Sequence, residues 1–312
     1  MRKSLISLAV LSAFAVSSAA FAAEEAAKPA EPSFSVTTNI GFASDYYARG
    51  VSQSWHKPAV QGGFDVAHSS GFYAGVWGSN ITPNTYPDAN VELDAYAGYN
   101  GTVPAIDGLG YTVGAIGYFY PGGSWKKYNA AGVPSQTPNG GRWDTYEANA
   151  GLSYKWLSGK ASMTLGDWYG AEQQTGWTSS TKGSTYLELN AAIPTPVAGL
   201  TLIAHVGHLN VAGKLNPLFA TSTVTSSGTI NNLPSTSPSG AINPDYTDWK
   251  IGVSKAFKIA NADGWNAGVY YVGNDNDSYW GSRGYGGTSF NGSSETKNLN
   301  DGRVVVTLGR SF

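Results

Sequence analysis

The sequence predicts an all-β protein, a transmembrane antiparallel up-and-down β-barrel of twelve strands that follows a cleaved signal peptide. Three observations predict it. Apolar residues recur with period two, not 3.6, from Phe34 to Phe312. The connections between the alternating segments are by turns short and long. Aromatic residues gather at one level, near the short connections.

Composition already points away from a water-solvated domain. Charged residues make up 13% of the chain, about half the roughly 25% of soluble domains. There are 40 Gly in 312 residues, with 19 Tyr, 11 Phe and 10 Trp. The absence of Cys removes disulfides, thiolate metal sites and Cys nucleophiles together. A formal net charge of -2 gives no basic field for nucleic acid.

The N-terminus reads as an address. Arg2 and Lys3 form a positive n-region, Leu5 to Val16 an apolar h-region, and Ala20-Phe21-Ala22 a small-x-small cleavage site. Residues 1–22 are therefore expected to be removed near Ala22. Residues 23–33, rich in Ala, Glu and Pro, have no apolar face to bury and read as a disordered periplasmic leader. No later stretch has 18 consecutive apolar residues, so any crossing must use strands.

Residues 34–312 hold the barrel. In Val91-Glu92-Leu93-Asp94-Ala95-Tyr96-Ala97-Gly98-Tyr99 a strand puts Val91, Leu93, Ala95, Ala97 and Tyr99 on one face, whereas a helix would scatter them. In chain order the apolar faces are Phe34/Val36/Thr38/Ile40/Phe42, Val60/Gly62/Phe64/Val66, Phe72/Ala74/Val76 and the one just given. Next come Tyr111/Val113/Ala115/Gly117/Phe119, Tyr146/Ala148/Ala150/Leu152/Tyr154/Trp156, Ala161/Met163/Leu165 and Leu187/Leu189/Ala191/Ile193. The last four are Leu200/Leu202/Ala204/Val206, Trp249/Ile251/Val253, Trp265/Ala267/Val269/Tyr271 and Val304/Val306/Leu308 running on to Phe312.

Short connections at 69–71, 100–110, 157–159, 194–199 and 259–264 alternate with long ones at 45–57, 80–90, 121–143, 170–183, 210–245 and 273–301. One rim thus carries tight turns and the other long polar loops, the layout of outer-membrane barrels. Phe34, Phe72, Tyr99, Tyr111, Trp156, Phe257, Trp265 and Phe312 lie at the turn-side level and form the expected membrane girdle. Phe42, Phe119, Tyr146 and Tyr271 supply a second one. The terminal strand, ending in Phe312, has the form that barrel-assembly machinery reads; Arg310 departs from it and is expected to snorkel to headgroups. A soluble β-sandwich would explain the alternation but neither the girdles nor the terminal Phe.

Charges cannot face lipid cheaply, so Asp65, Glu92, Asp94, Glu147, Lys155, Glu188, His205, Asp248, Lys250 and Arg303 are expected on the inner wall. They either pair across and seal the lumen or line a wet path. Twelve strands favour the wet path, and the excess of acids predicts a mild cation preference, open to reversal by loop charges such as Lys126 and Lys127. No enzyme is expected. His205 and His208 have opposite parity and cannot share a metal. Gly284-Tyr285-Gly286-Gly287 lacks the strand–loop–helix setting of a phosphate cradle. Asn274-Asp275-Asn276-Asp277 lacks the Gly and closing Glu of a Ca²⁺ loop. No metal or cofactor is called for.

Ser44-Asp45-Tyr46-Tyr47-Ala48-Arg49-Gly50-Val51-Ser52-Gln53 resembles the opening motif of the TorF family of proteobacterial porins, also called Gcw_chp. The segments from Ser70 to Asn80 and from Glu92 to Tyr99, and the Arg-Ser-Phe terminus, are similar to later blocks of that family. The resemblance implies an outer-membrane porin, with the outer-membrane lipid, the assembly machinery and small hydrophilic solutes as partners and no nucleic acid. Within the motif, Arg49 is expected either to fold inward and pair with Glu92 or Asp94 at a constriction, or to clamp the first loop. The functional expectation is passive diffusion of small hydrophilic solutes or ions across a Gram-negative outer membrane. The alternative is a non-conducting structural or adhesion barrel acting through its long loops.

Overall fold

Each strand pairs antiparallel with its sequence neighbour, and the last closes on the first. The computed structural model describes residues 33–125, 141–215, 223–224, 230–231, 243–282, 286–287, 289–290 and 295–312. The expected signal peptide, all of the expected leader except Ser33, and Lys126, Lys127, Gly284 and Tyr285 lie outside the described residues.

The barrel strands are β1 (Phe34–Ala43), β2 (Ala59–His68), β3 (Phe72–Asn80), β4 (Val91–Thr102), β5 (Leu109–Phe119) and β6 (Thr145–Tyr154). They continue with β7 (Leu157–Thr164), β8 (Thr185–Pro194), β9 (Leu200–Asn210), β10 (Tyr246–Ile259), β11 (Ala262–Asn274) and β12 (Arg303–Ser311). Closure is made by pairs such as Ile40↔Arg310 and Phe42↔Leu308 between β1 and β12. These are the twelve segments and the parities that the alternation predicts. Both the first and the last strand begin or end on the turn-side rim.

The outer wall is the apolar one. Leu187, Leu189 and Ile251 are 56%, 55% and 54% exposed, and Val36, Ile40, Leu152 and Val304 behave alike around the circumference. An apolar belt of this extent far exceeds the few hundred Å² that soluble monomers expose, so the solvent of this wall is hydrocarbon. The turn-side girdle is built from neighbouring strands in contact: the Phe72 and Tyr99 rings meet edge to face at 5.1 Å, Tyr99 and Tyr111 lie 6.1 Å apart, and Phe257 is paired with Trp265. On the loop side Phe119 and Tyr146 meet at 5.7 Å. Arg310 joins the turn-side girdle rather than reaching only for headgroups. Its guanidinium lies 4.4 Å from the Phe312 ring centroid, and its Nε donates to the Asp263 carbonyl at 3.2 Å.

One turn differs from expectation. The connection after β6 is Lys155–Trp156, with Tyr154 paired to Leu157, instead of 157–159. Lys155 takes a left-handed φ of 54°, which closes a two-residue hairpin. Lys155 is therefore exposed on the turn-side rim, its Nζ 5.0 Å from the Tyr154 ring centroid, and does not line the lumen. Trp156 belongs to this turn rather than to a strand, and it is 49% exposed at the girdle level. Arg303 keeps inward parity but stands exposed at the loop-side start of β12, beyond the packed interior.

An arginine placed at mid-strand on the outer wall tests this reading. Leu189→Arg, on the fifth of ten residues of β8, should destabilise the barrel by about 2–4 kcal/mol in lipid vesicles. Reversible denaturant titration measures it, and a change near zero would place Leu189 out of the hydrocarbon.

Candidate functional site: an inward hairpin across the lumen

After Ala43 the chain turns into the barrel instead of outward. Tyr47–Ala48 pairs with Val51–Ser52, and the two residues between them, Arg49 and Gly50, have φ of 47° and 72°. Two consecutive positive φ values make the tight turn whose twist suits a β-hairpin. Glycine is needed at the second position for a further reason. A Cβ there would lie 2.4 Å from Asp248 Cβ and 2.7 Å from the Gly273 carbonyl oxygen. The hairpin tip is thus pressed against the β10–β11 wall, where Asn274 Nδ2 donates to the Gly50 carbonyl at 2.9 Å.

Arg49 carries the contact to the far wall. Its Nη1 and Nη2 donate to Glu147 Oε1 and Oε2 at 2.8 and 2.7 Å, a two-pronged fork. The guanidinium carbon sits 4.2 Å from the Tyr186 ring centroid. The hairpin leaves β1 and ends on β6 and β8, the opposite side of the ring, so it crosses the lumen completely. Arg49 folds inward as expected, but its partner is Glu147 and not Glu92 or Asp94. The reach of the two-residue tip carries the guanidinium past β4 to β6.

The base of the hairpin is tied by Asp45. Its Oδ1 accepts from Ser52 Oγ at 2.7 Å and Ser54 Oγ at 2.9 Å, and its Oδ2 lies 2.7 Å from His56 Nδ1. The other imidazole nitrogen of His56 is 2.9 Å from the Asn298 carbonyl, and the Ser52 amide donates to the Leu299 carbonyl at 2.9 Å. Gln53 closes the motif, its amide donating to the Tyr46 carbonyl at 2.7 Å. The motif residues Ser44, Asp45, Tyr46, Arg49, Gly50, Ser52 and Gln53 thus form a strut rather than an exposed loop. Ser44 anchors it, its Oγ accepting the Val306 amide at 3.0 Å.

Aromatic residues from four other loops fill the remaining space on the loop side. Tyr86, Trp143, Tyr169, Trp168, Trp177 and Trp280 pack ring against ring, with Tyr169 at a left-handed φ of 45°. A cavity of about 60 Å³ is left among them. Burial pushes the Tyr86 and Tyr169 hydroxyls up, Glu92 adding to the first and Tyr118 to the second, so both remain neutral donors. The motif and these aromatics together close the loop-side half of the lumen, where a wet path was expected. On the turn side the inward residues, among them Thr37, Asn39, Asn100 and Ala192, are partly to fully exposed.

Between the two halves a polar network spans β7 to β10. Lys160 Nζ lies 2.6 Å from Glu188 Oε1, and Asn190 Nδ2 donates to Glu188 Oε2 at 3.1 Å. His205 bridges Asn190 Oδ1 at 2.7 Å and Asp248 Oδ1 at 2.9 Å, and the Tyr186 hydroxyl donates to Asp248 Oδ2 at 2.9 Å. Elsewhere on the wall the Tyr96 hydroxyl donates to Asp65 Oδ1 at 2.5 Å, and Lys250 Nζ stands 5.3 Å from the Tyr270 ring centroid. Glu92 and Asp94 are buried beneath the hairpin and aromatic cover, each 3% exposed. Of the residues expected inside, Arg49, Asp65, Glu92, Asp94, Glu147, Glu188, His205, Asp248 and Lys250 are there; Lys155 and Arg303 are not. Lys160 and Tyr186 are additions. Lys160 was legible, since the outward parity of Ala161 and Met163 turns it inward. Among the described residues no group of His, Cys, Asp or Glu is placed to hold a metal ion.

Solved structures similar to this chain are of distant sequence and include two porins. The KdgM porin in complex with disordered oligogalacturonate is 7% identical, over 89% of this chain and 97% of that one, at a TM-score of 0.38. The NanC porin is 10% identical, over 89% and 99%, at 0.40. OccK5 from Pseudomonas aeruginosa is 11% identical, over 82% and 59%, at 0.34. No curated protein matches the chain. The profile of Gcw_chp, described as a bacterial protein of unknown function, matches residues 26–225, well over half of the sequence, and the chain belongs to that family.

Proposed function

We propose that this barrel is an outer-membrane channel of the porin type, passing small hydrophilic solutes or ions by diffusion. In this reading the 44–57 hairpin is its gate. The observation that carries the reading is the division of the wall: apolar outside, and inside a charged lining that includes Asp65, Lys160, Glu188, His205 and Lys250. A barrel needing only to sit in lipid gains nothing from burying so many charges, each costly to desolvate. A barrel that conducts needs them, because polar walls replace the hydration of the solute.

Passage requires the hairpin to leave its seat on β6 and β8. Its tip is held mainly by the Arg49–Glu147 fork, the Tyr186 ring and one hydrogen bond to Gly50. Such a latch is strong when closed and has no covalent bond to break. The likeness of the 44–53 motif to TorF porins supports the same reading, as do residues 1–22, which match an export signal, and the terminal strand, which suits the assembly machinery. No catalytic step belongs to it.

A second reading is favoured by the packed aromatic cover on the loop side: a non-conducting structural or adhesion barrel that acts through its loops. Conductance separates the two. Arg49→Ala removes one partner of a buried pair, which costs about 3–5 kcal/mol through the carboxylate left behind. In planar bilayers the variant should show larger and longer openings than the parent, and liposomes carrying it should swell faster in small sugars. Closed records from both proteins would favour the structural barrel. Unchanged conductance and selectivity in an open channel would remove Arg49 from the gate. Gly50→Val should act in the same direction, because its side chain would collide with Asp248 and Gly273.

A further inference from the structure

Most buried carboxylates of the inner wall have a cation or a set of donors. Glu147 has Arg49, Glu188 has Lys160, and Asp248 has His205 and the Tyr186 hydroxyl. Two on β4 do not. Glu92 and Asp94 stand two residues apart on the same inner face. Glu92 Oε1 accepts from the Tyr120 hydroxyl at 3.1 Å and the Tyr46 hydroxyl also reaches this carboxylate, but Glu92 Oε2 and Asp94 Oδ1 accept no hydrogen bond of 3.5 Å or less among the described residues.

A third acceptor nearby is in the same state. Gln61, on β2 and 2% exposed, donates through Nε2 to Ser79 Oγ at 3.3 Å and leaves its Oε1 without a partner. Register places Gln61 opposite Ser79 and Ser79 opposite Glu92, so the three side chains share one patch of wall across β2 to β4. Two rings belong to this patch. Trp77 is paired with Asp94, and Tyr46, from the hairpin, meets Trp77 edge to face at 5.5 Å.

Buried acceptors are rarely left without donors, and here all three unpartnered atoms are acceptors, two of them on carboxylates. What completes such a set is a group with several N–H donors, a positive charge and no acceptor. A primary ammonium has three donors and one charge, and it is attracted by aromatic faces. A hard divalent cation asks for six or more oxygens, and the described residues offer no such cluster. We propose that Gln61, Glu92 and Asp94 form a binding site for a primary ammonium group, and that the channel selects amine cations through it. The selection rests on the channel reading; the binding does not.

Calorimetric titration of the full barrel, folded in detergent micelles, with n-butylammonium chloride tests the site without any transport. A saturable one-site heat is expected, absent with sodium chloride at the same ionic strength and much weaker with tetramethylammonium, which has the charge but no N–H. Glu92→Gln and Asp94→Asn should each weaken binding by about 10- to 100-fold, the loss of one charge-assisted hydrogen bond. Gln61→Glu adds a negative acceptor and should tighten it, so the site is tested by a gain as well as by losses. No saturable heat, an equal response to tetramethylammonium, or affinity untouched by all three variants would overturn the proposal. A barrel that conducts but does not bind refutes the site alone. A barrel that binds but does not conduct keeps the site and refutes the channel.

Discussion

Everything in this fold depends on closing the backbone hydrogen-bond ladder between β1 and β12. In hydrocarbon an unpaired N–H or C=O costs several kcal/mol, and an open sheet would leave two edges of them. Closure forces the outer parity to be apolar and pushes every charge onto the inner one. It also fixes the circumference, and with twelve strands the ring is wider than side chains alone fill. The inner space must then hold water, a ligand or another part of the chain. Here the loop-side half holds the chain itself.

That choice explains the unusual burial of the opening motif. Asp45, Ser52, Ser54 and His56 are spent on holding a hairpin straight, and Arg49 and Gly50 on seating its tip. Each polar group in the strut meets a counterpart, which is what burial demands. At Glu92, Asp94 and Gln61, by contrast, the wall leaves acceptor oxygens without donors of its own.

Much of this was legible in the sequence, because strand period and lipid contact act locally. All twelve segments, their parities and both girdles follow from alternation and turn spacing. The inward positions of Asp65, Glu147 and Glu188 follow from parity alone. What parity cannot reach is distance across the lumen. The Arg49–Glu147 pair joins residues 98 apart in the chain, and only the tilt and closure of the barrel decide which carboxylate the tip meets. Lys155 misled for a different reason: a left-handed residue at a two-residue turn ended β6 earlier than the apolar pattern did. The aromatic cover was hidden because its rings come from long loops, where no periodicity exists to read.

The central claim is that the hairpin seated across the ring decides whether anything passes. The chain has no Cys, and the Arg49 and Glu147 side chains meet tip to tip where the hairpin is seated. A barrel carrying Arg49→Cys and Glu147→Cys can therefore be tied by a bis-methanethiosulfonate cross-linker and released by a reductant while its current is recorded in a bilayer. The account predicts no current from the cross-linked protein and openings once a reductant is added. Equal current in both states would contradict it.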